Sequence, residues 1–205
     1  MMIQNELPAP TRKRFVLLLE ILKNWKNPRI TSLEICELTG WKDSLVRHDF
    51  WLIGYGKGVS NGYEKVDLER EIGRVLGVET AEIEQRKGLC IVGLGRLGAA
   101  LLDNELLEDS SFVIKAGFDS NLYRVEILRS NFPLYPASEM DYVIRSEKIE
   151  YAILTASNKE PQQMVNRLVK AGIKGIVNMT NVVLKVPESV KVENLSILNA
   201  LKLVI

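Results

Sequence analysis

A chain of 205 residues with one histidine and two cysteines has few of the side chains most used for metal binding and nucleophilic chemistry. Thiolate and imidazole metal sites need several ligands at short spacing. The chain has no Cys-x-x-Cys pair, so metal is not expected. Cys36 and Cys90 fall at apolar positions of predicted elements and read as core thiols of a reducing compartment. No signal peptide and no apolar run of about 18 residues or more occurs, so a soluble cytoplasmic protein without a membrane partner is expected. An excess of one charge sign is also missing, with 27 basic residues against 26 acidic. That balance is uneven along the chain. Residues 7–60 hold nine basic and five acidic side chains, whereas residues 88–205 hold thirteen of each. A positive excess confined to the first module fits contact with a phosphate backbone.

The strongest motif stands near the middle of the chain. Leu89-Cys90-Ile91-Val92 run without a break into Gly93-Leu94-Gly95-Arg96-Leu97-Gly98. Leu97, Ala100, Leu101 and Leu102 then repeat at helical spacing. A strand, a Gly-x-Gly-x-x-Gly turn and a helix make the phosphate-binding turn of a dinucleotide fold. In that reading Gly93 allows the tight turn, Gly95 lets phosphates approach the backbone, and Gly98 lets the helix pack on the sheet. A second strand over 112–118 ends in Asp119, 21 residues beyond Gly98. A carboxylate there accepts from both ribose hydroxyls and repels a 2′-phosphate, which favours NAD(H) over NADP(H).

The alternation continues downstream. Residues 139–147 and 161–171 read as helices, the second ended by Gly172, and residues 151–155 and 175–178 as strands. Extended pieces follow at 182–186 and 190–194 around Pro187. This order predicts a parallel sheet covered by helices. Residues 195–205 are apolar on nearly every face. A helix of that kind needs burial on several sides, so packing into a partner subunit and a homodimer are expected.

The first module reads as helical. Pro8 and Pro10 end an irregular start, Thr11 is the expected N-cap, and Phe15, Leu18, Leu19 and Leu22 give a helix to about Lys26. Asn27-Pro28 breaks it. Thr31 and Glu34 have capping-box spacing, a short helix runs through Leu38, and Gly40 closes it. Asp43 or Ser44 caps the next helix, whose apolar set is Leu45, Val46, Phe50 and Ile53. Two short helices joined by a glycine-containing turn predict a helix-turn-helix unit. The second helix of such a unit enters the major groove by its N-terminal end, here bearing Lys42, Ser44, Arg47 and His48. Arg47 can fork onto guanine or phosphate, although a solvated helix face accounts for it equally well. Residues 54–63 form a glycine-rich ribbon, read as a hairpin or wing with Lys57 near its tip. Val66, Leu68, Ile72, Val75 and Leu76 give one more helix. The lone His48 lies in this module with no nucleophile beside it, so DNA contact or exposure is favoured over catalysis.

Taken together, these residues resemble the Rex redox-sensing transcriptional repressors of bacteria. The resemblance rests on Pro10-Thr11 with Arg14, on Val46-Arg47-His48-Asp49-Phe50, on the ribbon ending Gly62-Tyr63, and on Val92 through Gly98. Ala152-Ile153-Leu154-Thr155 and Ala171-Gly172-Ile173-Lys174-Gly175-Ile176-Val177-Asn178 complete it. It implies an α/β chain with an N-terminal winged helix-turn-helix domain (1–77), a linker (78–88) and a Rossmann-like NAD(H)-binding domain (89–194). A C-terminal dimerisation helix (195–205) would be swapped between subunits. The implied protein is a homodimeric repressor that binds a palindromic double-stranded operator and releases it when NADH rises. Its candidate cofactor residues are Gly93, Leu94, Gly95, Arg96, Leu97, Gly98, Asp119, Thr155 and Ala156. Its candidate DNA residues are Arg14, Lys42, Ser44, Arg47, His48 and Lys57. The chain departs from the family pattern at Asn104, Ala156-Ser157, Asn178-Met179-Thr180-Asn181 and Ser196. An alternative keeps the repressor but makes NAD(H) a structural ligand, or replaces it with another adenine-containing effector. A small oxidoreductase is disfavoured, because the histidine is in the wrong module and little chain is left for a substrate pocket.

Overall fold

The computed structural model describes residues 7–56, 61–78, 86–102, 107, 110–156 and 161–205. Its contacts divide the chain into two compact units, Met1–Ala81 and Glu82–Ile205.

In the first unit α1 (Ala9–Asn24) begins behind Pro8, with proline again in its first turn, where no backbone donor is lost. Thr11 is therefore inside the helix and not its cap. It is buried, and its hydroxyl donates to Asp49 at 3.0 Å. α2 (Ser32–Thr39) carries the expected capping box: Thr31 Oγ1 accepts from the Glu34 amide at 3.1 Å, and the Glu34 carboxylate accepts from the Thr31 amide at 2.7 Å. Gly40 ends it in the left-handed region, at φ 73°. α3 (Asp43–Leu52) starts at Lys42 without a side-chain cap; Asp43 is already inside the helix, and its carboxylate lies 2.8 Å from Arg47 Nε. The short strand β1 (Arg29–Ile30) pairs antiparallel with β2 (Tyr63–Glu64), the end of the glycine-rich ribbon. The expected ribbon tip with Lys57 lies outside the described residues. α4 (Lys65–Leu76) closes the unit.

Phe15, Leu18 and Leu22 from α1, Ile35 from α2, Val46 and Phe50 from α3, and Leu68 and Ile72 from α4 make one buried core. The rings of Phe15 and Phe50 stack at 6.3 Å. Burying each such side chain contributes about 1.5–3 kcal/mol, which holds two-turn helices that would not stand alone.

The second unit is a parallel sheet. Among the described residues its strands are β3 (Lys87–Val92), β4 (Phe112–Asp119), β5 (Leu134–Pro136), β6 (Tyr151–Leu154), β7 (Gly175–Asn178) and β8 (Lys191–Asn194). They lie in the order β5-β4-β3-β6-β7-β8. Helices α5 (Arg96–Ala100), α6 (Leu122–Ile127), α7 (Met140–Ser146) and α8 (Pro161–Ala171) fall between strands in the sequence. The two-residue period of β3 sorts its side chains to opposite faces. Cys90 and Val92 enter the core containing Met140, Val143, Val165 and Leu168, and Leu89 and Ile91 enter the core containing Leu102, Ile114 and Phe132. Burial pushes the Cys90 thiol well above the ordinary thiol range, which keeps it an unreactive core group.

After β3 the chain builds β4 and β5 on one side, then crosses to β6, β7 and β8 on the other. The direction of growth reverses between β3 and β6, and open parallel sheets bind ligands outside the carboxyl ends of the strands at such a reversal. α9 (Ile197–Leu203) ends the chain with none of its residues buried. Among the described residues no helix is long and apolar enough to cross a membrane.

Candidate functional site

Three glycines shape the turn after β3, each for a separate physical reason. Gly93 has φ +97°, and a Cβ there would stand 2.5 Å from the Ala156 Cα. Its amide donates to the Phe118 carbonyl at 2.8 Å, which ties the turn to β4. A Cβ on Gly98 would stand 1.8 Å from the Gly93 carbonyl oxygen and 2.8 Å from Thr155 Oγ1. Thr155 donates its hydroxyl to the same Gly93 carbonyl at 2.5 Å, so β6 holds the turn from the other side. Gly95 differs from both. Its φ is −68°, which any residue adopts, and a Cβ there would meet one described atom within 4 Å, Arg124 Nη1 at 3.9 Å. Nothing in the described protein requires glycine at 95, whereas a ligand approaching the backbone does.

Asp119 sits at the end of β4 with 5% of its surface exposed. Its Oδ2 accepts from the Leu94 amide at 2.6 Å and from Arg124 Nη1 at 3.3 Å, and its Oδ1 accepts from the Asn121 amide at 2.7 Å. The carboxylate thus braces the glycine turn from within. A pocket lined by Val92, Gly93, Phe118, Asp119, Ser120, Ala156 and Met164 opens beside it. Thr155 and Ala156, expected at this site, are brought against Gly93 and Gly98. Leu94 turns its side chain into the core, so it offers its backbone alone. Arg96 and Leu97 are exposed at the first turn of α5.

Beyond β7, Asn178 is buried and fully bonded. Its amide donates to the Val182 carbonyl at 2.9 Å and to Asn194 at 2.8 Å, while its oxygen accepts from Thr180 at 2.7 Å. This pins the loop after β7 to the end of β8. Asn104 lies outside the described residues, as does Ser157. Ser196 is the N-cap of α9 and accepts from the Asn199 amide at 3.3 Å.

In the first unit, Lys42, Ser44, Arg47 and His48 are all exposed. Lys42 is the N-cap of α3, Ser44 lies in its first turn, and Arg47 and His48 follow one turn on. Arg47 is 66% exposed and pairs with Asp43, and His48 stacks on Trp51 at 5.8 Å. The Ser32 hydroxyl, and after it the Arg47 guanidinium, hold the Asp43 carboxyl below the usual carboxylate range. Arg14 stands apart from that set. Its guanidinium is 17% exposed and bound to Asp49, whose hydrogen bond holds the Arg14 pKa above its ordinary value. Its charge is committed inside the module. Arg124 and Asn121 were not anticipated, although an arginine five residues past the acid is within reach of it once a turn and a helix begin there.

Comparison with known proteins agrees with this geometry. A family model described as CoA binding domain matches residues 84–182. The redox-sensing transcriptional repressor Rex of Limosilactobacillus reuteri (strain DSM 20016) is 30% identical over 207 residues, covering 100% of this chain and 94% of the relative. The chain belongs to the Rex family of redox-sensing transcriptional repressors. Two crystal structures of RSP, itself a Rex-family repressor, superpose on nearly the whole chain. RSP with β-NADH is 28% identical, with a TM-score of 0.81 and coverage of 98% and 93% of the two chains. RSP with β-NAD⁺ and operator DNA is 26% identical, with a TM-score of 0.83 and coverage of 100% and 92%. Rex membership agrees with the Rossmann-like sheet and the glycine turn at its reversal point.

Proposed function

We propose that this chain is a DNA-binding repressor whose hold on a palindromic operator is set by NAD(H) at the glycine turn, with NADH as the releasing form. Gly95 carries the nucleotide half of the reading. Its backbone is bare where the described protein leaves room for a side chain, between the Asp119 carboxylate and the first turn of α5. Gly93 and Gly98 shape the turn, Gly95 admits the diphosphate, and Asp119 faces the ribose. The bound dinucleotide would supply the redox state that is sensed. The protein would bind and release it without turnover.

The exposed side chains of Lys42, Ser44, Arg47 and His48, from the start of α3 to its middle, support the DNA half, in a helix-turn-helix arrangement of α2 and α3. Arg14 takes the role of a brace behind that surface. The bare apolar face of α9 supports a homodimer with the helix covered by a second copy. Nucleotide and operator then bias one equilibrium of that dimer, and the coupling runs equally in both directions.

The test is fluorescence anisotropy of a labelled operator, with NADH and then NAD⁺ titrated into the complex at fixed salt. Release by NADH and not by NAD⁺ is the expected result. Equal effects of the two forms would discard redox sensing, since the operator would then respond to the nucleotide and not to its redox state. The match to a CoA binding domain over the second unit favours a second reading, in which another adenine nucleotide is the effector.

A further inference from the structure

We propose that Trp51 is a further specificity-determining residue of the DNA-binding face, and that it reads a thymine methyl group in the major groove. The proposal rests on the reading of α3 as the helix that meets DNA and deepens it.

Phe50 and Trp51 are neighbours in the chain with opposite fates. Phe50 is 2% exposed, in the core, whereas Trp51 is 66% exposed. The helical period separates them. Val46, Asp49 and Phe50 are the buried residues of α3, while Ser44, Arg47, His48 and Trp51 are all exposed. Those four stand at i, i+3, i+4 and i+7, so they form one stripe along the side away from the core. Trp51 is thus the last member of the stripe that carries the candidate DNA residues within this helix.

Its ring is not left at the far end of α3. Long side chains of a helix lean toward its N-terminus and cover the turn before their own Cα. The indole of Trp51 follows that rule, with its ring 5.8 Å from the ring of His48 and the two planes 20° apart. The aromatic surface therefore lies over the turn that bears His48, one residue from Arg47. It is continuous with the candidate interface and is its largest apolar element.

The major groove offers such a surface one kind of partner. Every base pair presents hydrogen-bonding groups there, and thymine alone adds a methyl group. Against the amine of cytosine an apolar ring removes water and supplies no acceptor, which is costly. Against a thymine methyl the same ring buries apolar surface at no such loss. The stripe then combines two kinds of reader. Arg47 is a fork of donors suited to guanine, and Trp51 is an apolar plate suited to thymine at a second position of each half-site.

In-vitro selection of random duplexes by the full chain, without NADH, gives the sequences preferred by the parent and by Trp51→Ala. The parent is expected to enrich thymine at a position in each half-site where Trp51→Ala accepts any base, with the other positions selected alike. Anisotropy titrations on the parent's duplex then replace that thymine by uracil, which deletes the methyl group and nothing else. The uracil duplex should bind the parent about fourfold more weakly for each half-site changed, the worth of one buried carbon. Trp51→Ala should bind the two duplexes within about twofold of each other. No phosphate contact is lost, so its salt dependence should keep the parent's slope. Its melting temperature should match the parent's, because the side chain is exposed. Identical selected sequences, or a parent indifferent to the methyl group, overturn the proposal. So does a Trp51→Ala chain that weakens on every sequence alike with a shallower salt slope, the sign of a backbone contact. Failure of the parent to enrich any sequence would instead overturn the reading of α3 as the helix that meets DNA, and this inference with it.

Discussion

The guanidinium of Arg14 grips both carboxylate oxygens of Asp49, Nε on Oδ2 at 2.5 Å and Nη2 on Oδ1 at 2.8 Å. Arg14 is on α1 and Asp49 on α3, so one bidentate pair fixes the helix that presents Arg47 and His48 against the helix behind it. Removing one partner of a buried pair strands the other. Asp49→Ala should therefore lower stability by about 3 kcal/mol, the low end of the range because Arg14 keeps some access to water. Urea unfolding of the variant measures this, and a loss below about 1 kcal/mol would show the brace to be dispensable.

Gly95 and Gly98 should respond oppositely to the same substitution. Gly98→Ala drives a Cβ into the Gly93 carbonyl and should cost about 1–3 kcal/mol or more in stability. Gly95→Ala places its methyl group in open space at an ordinary φ, so stability should hold or rise by up to about 1 kcal/mol. NADH affinity should nonetheless fall by more than about tenfold, because the methyl group occupies the ligand's place. Thermal melts and NADH titrations on the two variants decide it, and a Gly95→Ala chain that binds NADH like the parent would refute the cradle.

On the proposed reading, Arg47 would have to give up Asp43, 2.8 Å away, to reach DNA. Arg47→Ala should weaken operator binding by about 1–3 kcal/mol. Asp43→Asn should strengthen it, since the guanidinium is then no longer held along its own helix. Anisotropy titrations at fixed salt measure both. Unchanged affinity in the arginine variant would remove Arg47 from the interface.

Ile197, Leu198, Leu201 and Leu203 are 55–87% exposed on α9. Replacing Leu198 and Leu201 together by Asp should convert a dimer into a monomer in light scattering while leaving nucleotide binding by the sheet in place. A dimer of unchanged mass would show that α9 is not what joins the copies.

Much of this architecture was legible in the residues because the signals were local. The apolar run into Gly93, the acid at 119 and the alternation after it set the parallel order of β3, β4, β6 and β7. The capping box at Thr31 and Glu34 formed as its spacing indicates. What escaped was set by distant partners. Thr11 reads as a cap, but Asp49, 38 residues away, draws it inside α1. Asp43 reads as a cap too, but the helix begins at Asp43 itself, and its carboxyl is held by Ser32 from the preceding helix and then by Arg47. α6 and β5, of six and three residues, are too short to show a period, and β5 is defined by its bonds to β4. Arg124 carries no local signal, because it joins the turn only through its 3.3 Å contact with Asp119.

The glycine turn is held before any ligand arrives, by Thr155 on the Gly93 carbonyl, the Phe118 carbonyl on the Gly93 amide, and Asp119 on the Leu94 amide. A preorganised cradle loses little entropy on binding, so on the proposed reading it would take the adenosine diphosphate half of its ligand firmly and without regard to the nicotinamide attached to it. Firmness of that kind is common to oxidised and reduced forms and cancels between them. The turn therefore acts as an anchor with no preference of its own, and whatever separates two redox states must be generated at the far end of the molecule it holds.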